Sequence, residues 1–156
     1  MDAASDLRQA HRTAVFITGA LMTSLVLYAV IASALRPGQT SDPGASLPPA
    51  ALSLLRYGAW IMSAVVVLAL PALRRVLLTR RPDDTRQRAI ARLTLTTVAA
   101  GGLAEIPAVA GFMLVVLGGL FLDFYLLASL SLALLLTYAP RYDAWAAWLA
   151  APAPRP

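Results

Sequence analysis

Hydrophobic positions along this chain gather into four long unbroken runs rather than alternating with polar ones. They cover about residues 13–35, 50–73, 91–117 and 120–138. A helix needs roughly 20 residues, within a range of about 17–25, to cross ~30 Å of hydrocarbon. All four runs meet that requirement, and the third is long enough to tilt or project. In lipid each backbone polar group must be satisfied within its own segment, so the runs read as helices. The pattern predicts an all-α polytopic membrane protein. Its four transmembrane helices form an antiparallel bundle that makes residues 1–140 one domain.

The polar breaks differ in kind. Residues 36–49 are rich in Pro, Gly and Ser and read as an irregular surface loop. Residues 74–92 carry seven arginines and the pair Asp83–Asp84. Only Gly118–Gly119 separates the last two runs, which forces a tight hairpin. Residues 141–156 begin with Arg141-Tyr142-Asp143 and read as an interfacial segment followed by a disordered Pro/Ala tail.

Charge then sets the orientation. Eleven arginines fall on the side shared by the N-terminus, the second connection and the C-terminus, against only Arg36 and Arg56 on the other. By the positive-inside rule both termini are expected in the cytoplasm, and the expected location is a cell inner membrane. Tyr57, Trp60, Phe121, Phe124 and Tyr125 form an outer aromatic belt, and Tyr138, Tyr142, Trp145 and Trp148 an inner one. Tyr142, Trp145 and Trp148–Leu149 also recur at helical spacing, which fits either a short helix in the inner interface or a frayed tail. Ala32-Ser33-Ala34 fits a signal-peptidase site. However, the preceding run exceeds the ~7–15 residues of an h-region, and Asp2 and Asp6 dilute the positive flank, so the first span is expected to be retained.

Composition narrows the chemistry. Hydrophobic residues make up 59% and charged residues 13%, too few of the latter to cover a soluble domain. No cysteine is present, and His11 is the sole histidine, so thiolate sites, disulfides and histidine-based metal clusters are excluded within one chain. No catalytic set or phosphate loop stands out, so neither an enzyme nor a cofactor is expected. Placement of the arginines argues for topology and lipid contact rather than nucleic acid. His11 is expected to be solvated.

One residue breaks the apolar pattern with real consequence. Glu105, the sole glutamate, lies near the middle of the third run. An ionised carboxyl there costs roughly 2.5–3.5 kcal/mol by insertion scales, which it can avoid by holding a proton, pairing with a cation or facing water. Pro107 has no N–H, so the Leu103 carbonyl loses its helical partner and offers a spare acceptor nearby. Glu105, Leu103 and Pro107 are therefore the candidate proton- or cation-binding residues. Ala100, Gly101, Ala104, Ala108 and Gly111 form a small-residue face for close helix packing. Alternatively, Glu105 simply bonds a neighbouring helix: Thr23, Ser24 and Ser63 are available, as is Arg56 if the register allows. Asp123 is expected to serve the fourth helix's N-terminus, and Arg56 to snorkel outward.

The stretch from Arg81-Pro82-Asp83-Asp84 to Gly111, about a fifth of the chain, resembles the polar loop and second helix of the proteolipid c subunit of rotary ATP synthases. The matching core is Leu103-Ala104-Glu105-Ile106-Pro107-Ala108-Val109-Ala110-Gly111. That resemblance implies that Glu105 is a proton- or sodium-binding carboxylate and that the loop is cytoplasmic. Two functions are thus expected. One is ion binding by an intramembrane carboxylate inside a homo-oligomer or with other membrane subunits. The other is a non-transporting scaffold or accessory subunit.

Overall fold

The computed structural model describes residues 3–36, 48–79 and 85–151. They form α1 (Ala3–Leu35), α2 (Pro49–Leu77), α3 (Arg86–Gly118), α4 (Phe121–Thr137) and α5 (Tyr142–Ala150), with no strand among the described residues. The glycine-rich loop at 37–47, the loop centre at 80–84 and the tail at 152–156, including its expected disorder, lie outside the described residues.

Helices α1, α2 and α3 are each long and apolar enough to cross a membrane; α4 and α5, bent by 47°, pass the same test only as a pair, as a broken span or a re-entrant loop. All four expected runs are helical; α1, α2 and α3 extend further than hydropathy marks them, while α4 stays within its run. Helix α1 begins at Ala3 instead of near Thr13, and α3 at Arg86 instead of near Ala91. At 1.5 Å per residue these helices reach about 50 Å, well beyond the ~30 Å of hydrocarbon. Arg74, Arg75, Arg86, Arg88 and Arg92 consequently sit on helical turns of α2 and α3 rather than in a loop.

Local chemistry explains the ends. Pro49 starts α2 at a position where its missing N–H is harmless. The Thr85 side chain caps α3 by accepting from the Arg88 N–H at 3.4 Å. Gly119 closes α3 at φ 65°, a left-handed conformation that favours glycine, and its N–H donates to the Val115 carbonyl. That turn folds α4 back along α3.

Helix α3 is the hub, with half (50%) of its most apolar window buried, against 17% for α1 and for α2. The expected small-residue face is the reason. Ala100, Gly101, Ala104, Ala108 and Gly111 are all buried. Ala100, Ala104 and Ala108 pack with Leu25 of α1, Val66 and Leu70 of α2 and Leu135 of α4. Pro107 is also buried, and the next amide, Ala108 N–H, donates to the buried Ser131 hydroxyl of α4 at 2.9 Å. Ser131→Ala removes that acceptor. It is expected to cost about 1–3 kcal/mol, read as a lower midpoint of thermal unfolding in mild detergent.

A separate cluster joins the extra turns of α1 and α3 to α5. Leu7 and Ala14 meet Ile90, Leu93 and Trp145. The last segment is thus a helix, and its central tryptophan is buried against protein. His11 helps to fix it: the ring is half-buried, with Nε2 3.3 Å from the Pro140 carbonyl and its face edge-on to Tyr142 and Trp145. The expectation of a solvated histidine is corrected by these contacts.

Candidate functional site

Glu105 projects from α3 toward α1. Its Oε1 accepts from the Ser24 hydroxyl in a short contact and from the Tyr28 hydroxyl at 3.1 Å. Ser24 and Tyr28 lie four residues apart, so one face of α1 presents both hydroxyls together. The Ser24 Oγ is also 2.7 Å from the Leu21 carbonyl, which fixes its rotamer beside the carboxyl. Oε2 has no hydrogen-bond partner among the described residues, yet no side-chain oxygen is buried without one, so Oε2 remains accessible. Among the described residues no arginine forms a salt bridge with Glu105.

Beside it runs a groove of about 680 Å³ between α2 and α3. Glu105 lines this groove together with Leu54, Gly58 and Met62 of α2 and Gly102 and Met113 of α3. A Cβ added at Gly58 or Gly102 would meet nothing within 4 Å, so both glycines border open space. The wall is almost wholly apolar, with one carboxyl set into it. The arrangement can hold one charge or proton at a fixed depth while one oxygen stays reachable.

The sequence-derived candidates divide here. Ser24 is a partner of Glu105; Thr23 bonds its own helix at Gly19, and Ser63 bonds Ala59. Leu103 is half-buried and packs on the central core, and no hydrogen bond joins Glu105 to its carbonyl. Pro107 lies two residues, about 200°, around the helix from Glu105, on the α4 side. The carboxylate thus draws its donors from α1. Tyr28 was missed because a tyrosine in an apolar run reads as packing, although its i+4 spacing from Ser24 was visible.

A second polar cluster was missed altogether. Asp123, in the first turn of α4, is buried, and its Oδ1 accepts from Arg56 Nε at 3.0 Å and Trp60 Nε1 at 2.9 Å, both on α2. Arg56 therefore does not extend outward on its own, and Leu120, not Asp123, occupies the cap position of α4. Among the described residues no group of three or more His, Cys, Asp or Glu could hold a metal ion. No family model, characterised protein or solved structure matches the chain.

Proposed function

We propose that this chain is a four-span, inner-membrane protein, with both termini cytoplasmic, in which Glu105 binds a proton or a cation as part of an oligomer or larger complex. The observation that carries the reading is the two-sided setting of the carboxyl. One oxygen is held by Ser24 and Tyr28, while the other has no partner among the described residues and lies beside an apolar groove. Two hydroxyl donors orient the group but supply no positive charge. In surroundings of low dielectric, a proton or cation on Oε2 removes the cost of a bare charge. The lopsided arginine count supports the orientation, and the resemblance to rotary proteolipids over residues 81–111 supports the same chemistry. With few polar groups along its spans, one chain lines only one side of the site, and a second chain would supply the facing wall.

The test is reaction of the full chain in native membranes with a hydrophobic carbodiimide, which takes the proton of a carboxyl reachable from lipid and is then attacked by its oxygen. Glu105 is expected to be the labelled residue, with labelling that falls as sodium is added or pH is raised. Absence of labelling at any pH would sink the reading. Glu105→Gln should abolish the labelling while its carbonyl oxygen still accepts from Ser24 and Tyr28.

The bonds from α1 to Glu105 give the scaffold reading its own observation, because they tie α1 to α3. If that is the whole role, Glu105→Gln leaves stability and complex assembly unchanged, and the wild-type carboxyl is inert to the reagent.

A further inference from the structure

A second cavity, of about 280 Å³, lies at the end of the bundle where α2 finishes, α3 enters its apolar run and α4 turns into α5. It is unlike the groove beside Glu105. Two arginines from different elements line it, Arg74 in the last turn of α2 and Arg141 at the cap of α5. Both are exposed, and among the described residues neither pairs with a carboxylate. The Arg74 guanidinium lies over the Tyr138 ring, 5.6 Å from its centroid, which holds it at the cavity mouth.

Two further features point to a ligand. Trp145 lines the cavity and is only 6% exposed; its indole N–H has no acceptor among the described residues, and since no side-chain nitrogen is buried without one, that N–H remains accessible. Helix α5, nine residues long, begins here with no side chain capping its first turn. Its first-turn amides add donors beside the two guanidiniums; Asp143 in the same turn is exposed and does not line the cavity. The threonines in the wall do not compete: Thr96, Thr97 and Thr137 each donate to a carbonyl of their own helix. The donors left over are cationic or backbone-like, which is the donor set for a phosphate oxygen.

We propose that this cavity binds a phosphate-bearing anion, and that its source is the head group of an anionic phospholipid in the inner leaflet. The volume falls just below the ~300–1,000 Å³ of pockets for drug-sized ligands, so it suits a head group rather than a whole molecule. The position favours lipid over a soluble anion. The site sits where helices leave the membrane on the arginine-rich side, among aromatic residues suited to the interface. Acyl chains would then lie along the exposed faces of α2 and α4 while the phosphate reaches Arg74 and Arg141. This does not depend on Glu105 binding an ion.

Native mass spectrometry of the purified full chain tests it, with phosphatidylglycerol, phosphatidylcholine and inorganic phosphate as probes. Phosphatidylglycerol adducts should persist over phosphatidylcholine. Replacing both arginines, R74Q/R141Q, should weaken them roughly thirty-fold, about five-fold per guanidinium. R75Q/R88Q removes two exposed charges outside the cavity and should leave the adducts intact. R74K/R141K keeps the charges and should restore part of the binding, separating loss of the site from loss of the fold. Retention of inorganic phosphate with no preference for phosphatidylglycerol would keep the site and overturn the lipid source. Equal adducts in R74Q/R141Q and R75Q/R88Q would overturn the site itself.

Discussion

Gly111→Leu is expected to destabilise the bundle by about 3 kcal/mol or more, the upper end of what overpacking costs. A Cβ at this position would stand 3.0 Å from the Phe124 Cα and 3.1 Å from the Leu127 Cβ. The first of these is backbone, and Phe124 is fully buried, so no side-chain rotation relieves the clash. Nor can α4 move away, because the tight turn at Gly119 holds it to α3 a few residues along the chain. Gly111→Ala should already destabilise by about 1 kcal/mol. Two other glycines of α3 extend this to a gradient. At Gly101 the atom that a Cβ would meet is the tip of Leu21, which can swing aside, so Gly101→Ala should be milder. At Gly102 nothing lies within 4 Å, and Ala there should be neutral or gain up to about 1 kcal/mol from helix propensity. Thermal unfolding in mild detergent, followed by circular dichroism, ranks the variants. A Gly111→Leu protein as stable as Gly102→Ala would mean that α3 and α4 do not approach this closely.

Such contrasts mark where sequence reading reaches its limit. Long apolar runs are legible because crossing hydrocarbon imposes length and composition on each segment alone. The small-residue face from Ala100 to Gly111 was legible for a similar reason: close packing of one helix needs small residues at helical spacing. Which neighbour meets each residue was not legible. Gly101 faces Leu21 of α1, while Gly111 faces α4. The polar turns at Ala3–Arg12 and Arg86–Ile90 were hidden because polar helical turns carry no hydropathy signal. Spacing at Leu7, His11 and Ala14 did contain one, since those three fall on a single face and meet α5. Trp145 shows the converse. Its helical spacing with Tyr142 and Trp148 left a short helix and a frayed tail both open, and an aromatic that packs on protein looks identical in sequence to one that meets lipid.

The candidate site divides the same way. A glutamate in mid-span announces itself through its cost in hydrocarbon, so Glu105 was found without any tertiary information. Its partners required the fold. Ser24 and Tyr28 lie about eighty residues away along the chain (81 and 77), and nothing local distinguishes that serine from Ser33. Asp123 was harder still. Near a helix start an aspartate already has a sufficient local explanation, and its true partners lie on α2.

That cluster sets up an asymmetric expectation. Arg56→Ala should cost about 3 kcal/mol, and Asp123→Ala only about 1 kcal/mol, although both break one ion pair. The aspartate side chain is 5% exposed and the arginine 51%. Without Arg56 the buried carboxylate keeps only the Trp60 N–H, and a charge so stranded is the expensive outcome. The half-exposed guanidinium places the cost at the low end of the ~3–5 kcal/mol seen for buried pairs. Without Asp123 the guanidinium can extend its stem toward water, and only an indole N–H is left unmatched. The double variant should therefore resemble Asp123→Ala, giving a coupling of about 3 kcal/mol, at the top of the range found for residues in contact. Unfolding midpoints of the three variants decide this, and an Asp123→Ala protein less stable than Arg56→Ala would refute it. There is a consequence for Glu105 as well. Arg56 and Trp60 tie α2 to α4, and α2 forms one wall of the groove beside the carboxyl. Releasing that tie should widen the groove, so Arg56→Ala should also raise the rate at which a carbodiimide reaches Glu105.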